Sequence, residues 1–118
     1  MSTEDTARIA RAYFDTWSNR RGAEALRPLL AEDFVFDAGP IHMEGREAFL
    51  GASEWPARAR TTLVAEAYDG EHAFQLYEAV NGMARIRSAE HLVVRGGVIA
   101  SSEIIGDLAA FQVFMAAG

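Results

Sequence analysis

Three two-residue breaks in the second half of the chain limit its fold more than any other feature. Residues 61–68, 72–80, 84–94 and 98–105 read as strands, separated by Asp69-Gly70, Asn81-Gly82 and Gly96-Gly97. Asn-Gly and Asp-Gly between strand-like runs are the strongest short-range hairpin signals, because a tight hairpin turn needs residues that tolerate positive φ. The second half is therefore predicted to be an antiparallel meander of four strands.

The first half has a different period. Ile9, Ala10, Tyr13, Phe14 and Trp17 recur at the spacing of an amphipathic helix over residues 4–19. Ser2 with Asp5 can cap its start, and the stretch from Asn19 to Gly22 closes it. Residues 23–30 read as a second short helix deformed by Pro28, and 44–54 as a third that Pro56 cannot continue. Between them, Phe34-Val35-Phe36 is a brief extended segment ending in a turn at Asp37-Ala38-Gly39-Pro40. Asp107 can cap a short terminal helix through Leu108, Phe111 and Phe114, with a further strand as the alternative. Helices first and an antiparallel sheet afterwards make the chain α+β, three N-terminal helices packed on the sheet. At 118 residues, without linker, repeat or biased tract, it reads as one domain spanning 1–118.

Composition then removes several classes of function. The 11 basic residues are all Arg, set against 17 acidic ones for a net charge of −6, with no basic cluster beyond Arg20-Arg21. Nucleic acid and anionic membranes are poor partners for such a chain. With no Cys there is no thiol nucleophile, and with no Lys there is no Schiff base. The start, Met-Ser-Thr-Glu-Asp-Thr-Ala-Arg, lacks the basic and apolar regions of a signal peptide, and no stretch approaches a membrane span. A soluble cytoplasmic protein is expected. Its 22 alanines and Arg-only basic set suggest the codon usage of a GC-rich bacterial genome. His42, His72 and His91 show no metal-ligand spacing, and no Gly-rich phosphate loop or Gly-x-Ser-x-Gly elbow occurs, so neither a metal nor a cofactor is expected.

The chemistry that remains is acid and base. Over 84–94, period two puts Ala84, Ile86, Ser88, Glu90, Leu92 and Val94 on one face and Arg85, Arg87, Ala89, His91 and Val93 on the other. Glu90 then lies on the apolar face, where its ionised form is disfavoured and its acid form can donate a proton near neutral pH. A register shifted by one, or a solvated sheet edge, would also accommodate it. Asp37 ends a strand at a turn, either as a functional carboxylate or as a turn aspartate bonded to its own backbone. Tyr13 lies on the apolar stripe of the first helix, its hydroxyl satisfied in the core or aimed into a cavity.

Tyr13-Phe14-Asp15-Thr16-Trp17, the stretch from Ala23 to Leu30 and Ala31-Glu32-Asp33-Phe34-Val35-Phe36-Asp37 resemble the opening of the nuclear transport factor 2-like superfamily. Gly45-Arg46-Glu47-Ala48-Phe49 and the stretch from Glu90 to Ile99 continue the likeness over nearly the whole chain. The resemblance implies a cone: three helices over a strongly curved antiparallel sheet enclosing an apolar pocket. Within the superfamily the pattern is most similar to ketosteroid isomerases and SnoaL-like polyketide cyclases. That similarity implies Tyr13 as the helix tyrosine, Asp37, 24 residues later, as the base, and Glu90 as the protonated acid on a long strand. Glu in place of the isomerases' Asp, and Ala38-Gly39-Pro40 in place of an immediate proline, are departures from that pattern. The Asp-Arg-Asp arrangement of limonene epoxide hydrolases is broken, since Arg85 and Arg87 face away from Glu90.

Two functions are expected on these grounds. The first is a cofactor-independent enzyme acting on an apolar carbonyl compound through its enolate, as an isomerase or a cyclase. Asp37 would take the proton, Tyr13 and Glu90 would hold the enolate oxygen, and Trp17, Phe49, Trp55 and Leu92 would hold the apolar body. The second is a non-catalytic module that binds a small molecule or a partner. A homodimer through the outer sheet face is expected in either case, with Ala89, Val93, Ile99 and Ile105 among Arg87, His91 and Glu103.

Overall fold

The computed structural model describes residues 2–52 and 54–117. Helix α1 (Thr3–Ser18) starts where Ser2 accepts a hydrogen bond from the Asp5 amide. It is followed by α2 (Ala23–Leu26) and a 3-10 turn (Arg27–Leu29), the break that Pro28 requires. Strand β1 (Leu30–Ala38) and strand β2 (Ile41–Glu44) form a hairpin, then α3 (Arg46–Leu50) leads to the meander. The predicted helix over 44–54 is thus shorter, ending at Gly51, and part of that prediction, Ser53, lies outside the described residues. Strands β3 (Arg60–Asp69), β4 (His72–Asn81), β5 (Ala84–Arg95) and β6 (Val98–Ile105) match the predicted boundaries closely. Helix α4 (Leu108–Ala116) is capped by Asp107, which settles the C-terminal segment as helix. No helix among the described residues is long and apolar enough to cross a membrane.

These six strands form one curved sheet in the order β2-β1-β6-β5-β4-β3. The meander is antiparallel throughout, but β1 lies parallel to β6. The expected curved antiparallel sheet is present, with this one parallel pair added where β1 joins the meander. The chain leaves the β1–β2 hairpin through α3, starts the meander at the far edge, and brings its last strand back beside β1. Strand β2 has no counterpart in the sequence reading, because four residues carry too little pattern; only Ile41 and Met43 of Ile-His-Met-Glu are apolar.

The inward face of the sheet and the helices share a core of Ile9, Ala10, Tyr13, Leu30, Phe34, Leu92, Val94 and Ile99. A second cluster of Tyr77, Ala79, Ile86 and Phe114 anchors α4. Burying each of the larger apolar side chains among these contributes about 2 kcal/mol. Among the local irregularities, two bear on what packs around the site. The β5–β6 register jumps from Val93 opposite Ser101 to Val94 opposite Ile99, so β6 carries a bulge at Ala100. Ile99 is therefore fully buried, not on the outer face where strict alternation places it. In the β1–β2 turn, Gly39 has φ +58 and its α-carbon faces Leu108 so closely that a β-carbon would lie 1.9 Å from Leu108 Cδ1. Glycine is what lets α4 settle against this hairpin.

Candidate functional site

Helix α1, the inward faces of β1, β2, β4 and β5, and α4 surround a cavity of about 580 Å³. Its walls are largely apolar and aromatic, with Trp17, Phe36, Phe49, Trp55 and Phe111 among them. Trp17 stands edge-on to both Trp55 and Tyr77, with ring centroids 4.9 and 5.0 Å away, and Phe49 stands edge-on to Phe34. Such T-shaped clusters hold rigid walls at little conformational cost.

Glu90 lines this cavity. The alternation on β5 holds along its length: Ile86, Ser88, Glu90, Leu92 and Val94 are buried, whereas Arg85 and Arg87 are exposed and paired with Glu78. Glu90 is 2% exposed. Its Oε2 accepts hydrogen bonds from the Tyr13 hydroxyl at 2.9 Å and the Ser102 hydroxyl at 2.5 Å. Burial raises the pKa of Glu90 from its ordinary value of 4.5 to about 7, against the opposing effect of those two bonds. Because both donors end on Oε2, a proton taken up by the carboxyl belongs on Oε1. Burial also pushes the Tyr13 hydroxyl well above its ordinary value, and the neighbouring Glu90 charge adds to this, so Tyr13 stays a donor at any physiological pH. Tyr77 is raised for the same two reasons, burial first.

Of the residues picked out in the sequence, Tyr13 and Glu90 meet, and Trp17, Phe49 and Trp55 line the cavity with them. Leu92 does not; it is fully buried in the core between Ala73 and Ser102 on neighbouring strands, so its expected ligand contact is replaced by packing. Asp37 does not reach the cavity either. Phe36 and Ala38 on either side of it line the cavity, and strand alternation turns Asp37 to the outer face. There its half-exposed carboxylate lies 2.5 Å from His42 Nδ1, and the His42 ring also contacts Glu44. These two carboxylates, Asp37 foremost, raise the pKa of His42. Asp37 belongs to a surface ion-pair cluster and is not placed to take a proton from anything in the cavity.

Three contributors escape the sequence pattern. Ser102 faces inward by alternation with Glu103 and Ile105, but its partner Glu90 lies on another strand; Tyr77 carries no signal of its own within β4, and Arg20 stands out only as half of an Arg pair. On the outer face, His72 Nδ1 and His91 Nε2 come within 3.0 Å, with Phe74 stacked on His91. Among the described residues, no three His, Asp or Glu side chains gather as a metal site.

Neither a protein-family model nor a curated protein matches the chain. Solved structures do. It is similar to a candidate ketosteroid isomerase from Kribbella flavida, with a TM-score of 0.80 and 27% identity over 88% of this chain and 78% of that one. It is also similar to a nuclear transport factor 2-like protein of unknown function from Mesorhizobium loti, with a TM-score of 0.79 and 22% identity over 89% and 93% of the two chains. A protein of ketosteroid isomerase-like fold from Catenulispora acidiphila, in complex with trimethylamine, matches with a TM-score of 0.68 and 22% identity over 93% of each chain.

Proposed function

The chain has the nuclear transport factor 2-like, ketosteroid isomerase-like cone fold, and on that premise we propose that its cavity binds an apolar compound by a carbonyl or phenolic oxygen and that Glu90 is its acid–base group. One observation carries this reading: a buried carboxyl with a pKa of about 7, tied to a tyrosine, at the wall of an aromatic cavity. A group poised near the working pH is suited to take and return protons. Glu54, the other carboxylate on the cavity wall, is largely exposed at the mouth and paired with Arg20. The two roles that the sequence divides between Asp37 and Glu90 therefore fall to one residue. Ionised Glu90 takes a proton from the carbon beside the carbonyl, the Tyr13 hydroxyl turns its single proton from the now neutral carboxyl to the enolate oxygen, and Glu90 returns the proton to a carbon of the enolate system while Tyr13 turns back to Oε2. That is an isomerisation without a cofactor; aldol-type cyclisation proceeds from the same enolate.

Fold alone does not establish activity, and the non-catalytic module keeps one observation in its favour: among the described residues, no second buried carboxylate lines the cavity. Two measurements separate them. 2-Naphthol, an apolar phenol, is expected to bind, and Tyr13→Phe and Glu90→Gln each to weaken it about 10- to 100-fold, the effect of a hydrogen bond involving a charged group. Asp37→Asn leaves this binding unchanged. Deuterium exchange beside the carbonyl of 2-tetralone, followed by NMR, is then expected to be accelerated by the wild type and not by Glu90→Gln. Naphthol binding without exchange supports a small-molecule-binding module; failure of naphthol to bind rejects the enzyme reading and favours the interaction module.

A homodimer through the outer sheet face is part of the proposal. Phe74 and Ile105 are about half exposed there, among the His72–His91 pair and Arg85, Arg87 and Glu78. A mixed apolar and charged face of this kind suits a two-fold interface. Sedimentation at micromolar concentration is expected to give a dimer that Phe74→Glu converts to monomer.

A further inference from the structure

Helix α1 ends in a Schellman cap. The Arg21 amide donates to the Thr16 carbonyl and the Arg20 amide to the Trp17 carbonyl. The residue at the centre of such a cap takes positive φ and is usually glycine, which alone adopts it without strain. Here it is Arg20, with φ +53, the one non-glycine residue with positive φ among the described residues. The helix end thus carries a strained residue where glycine would serve the backbone better, and strain of this kind is retained where the side chain has a use.

The position of that side chain indicates the use. Tyr13, Thr16 and Trp17 recur at three- and four-residue spacing on one face of α1 and line the cavity from the Glu90 end, and Arg20, two residues past the end of the helix, lines it as well. The helical rise from Tyr13 to Ser18, the end of α1, is about 7.5 Å, and Arg20 lies beyond it. Arg20 is the one cation on the cavity wall among the described residues. Its Nε donates to the Trp55 carbonyl at 2.8 Å, which fixes one edge of the guanidinium. The remaining edge is loosely held: a single contact of 3.4 Å reaches Glu54, whose side chain is 72% exposed. A guanidinium prefers a two-pronged bond to a carboxylate, and the single long contact with exposed Glu54 is one that a ligand carboxylate can displace.

We propose that Arg20 is a specificity residue that reads a carboxylate, so that the cavity takes apolar acids with an oxygen at one end, held by Tyr13 and Glu90, and a carboxylate at the other. This rests on the proposed role of the Tyr13–Glu90 end and names the class of ligand. The surrounding net charge of −6 works against anions in general; a preference for an acid must come from a local contact.

Calorimetric titration with 2-naphthol, 6-hydroxy-2-naphthoate and 2-naphthoate tests both ends separately. The wild type is expected to bind 6-hydroxy-2-naphthoate at least tenfold more tightly than 2-naphthol. In Arg20→Met and in Arg20→Gly, which relaxes the backbone, the affinity for the acid falls at least tenfold further than that for 2-naphthol. Equal affinity for the two compounds in the wild type, or a preference that persists in both variants, overturns the proposal. If 2-naphthoate binds through Arg20 but is insensitive to Tyr13→Phe, and 2-naphthol does not bind, the carboxylate reading stands and the Tyr13–Glu90 reading falls.

Discussion

Glu90→Gln removes most of the stability loss that the wild-type chain suffers between pH 5 and pH 8. The folded carboxyl has a pKa of about 7, against an ordinary value of 4.5 in the unfolded chain. Between those two values the folded state holds a proton that the unfolded state has released. Stability from this group is therefore complete below the unfolded value and declines as pH rises through about 7. A shift of this size corresponds to about 3 kcal/mol in full, of which about 2 to 3 kcal/mol falls between pH 5 and pH 8. Gln has no charge to bury and can still accept from Tyr13 and Ser102. His42, whose pKa is also raised, loses stability in the same direction, but it does so equally in both proteins, and the difference between them isolates Glu90. Tyr13 and Tyr77 titrate above this window. Urea unfolding at several pH values is the measurement. Parallel curves for the two proteins would mean that the carboxyl is solvated and not the acid proposed.

Phe114→Ala is expected to cost about 3 to 5 kcal/mol, as large aromatic truncations in cores do. Phe114 is fully buried against Tyr77, Ala79 and Ile86, and its ring lies 5.0 Å from that of Trp55. Val113, one residue earlier on α4, is 65% exposed, and its change to Ala is expected to alter stability by no more than about 0.5 kcal/mol. The contrast matters because α4 supplies Leu108, Phe111 and Met115 to the cavity wall. Loss of Phe114 therefore loosens the wall as well as the core, and 2-naphthol affinity falls with stability. Denaturant unfolding, with limited proteolysis of residues 107–117, reads both effects.

The meander and the first helix are legible because long elements repeat their period several times. Twelve residues of β5 alternate without interruption, so the inward direction of Glu90 can be read before any neighbour is known. The direction of Asp37 is also present in the chain: Phe34, Phe36 and Ala38 alternate with it, and that parity turns it outward. Its spacing from Tyr13 points the other way, and the local alternation decides. The face of Ile99 is not legible, because one extra residue in β6 reverses it relative to Glu103 and Ile105, and nothing in Val-Ile-Ala-Ser-Ser announces the bulge; Ser102 keeps the inward face that alternation with those two residues gives it, and only its contact with Glu90 is hidden. The parallel pairing of β1 with β6 is invisible for a related reason: partners so far apart in sequence leave no local pattern.

That pairing has a consequence for how the chain assembles. Val35 waits for Ser101 and Tyr13 for Glu90, so the early elements find their long-range partners only after the later strands exist. During synthesis the first helix and the β1–β2 hairpin emerge long before β5 and β6, with an apolar face that nothing yet covers. Contacts of such sequence separation form late and slow folding, since the loop must close before they repay it. The acid and the tyrosine thus meet only once β5 has docked beneath α1, which makes their contact a report on the two halves of the chain having come together.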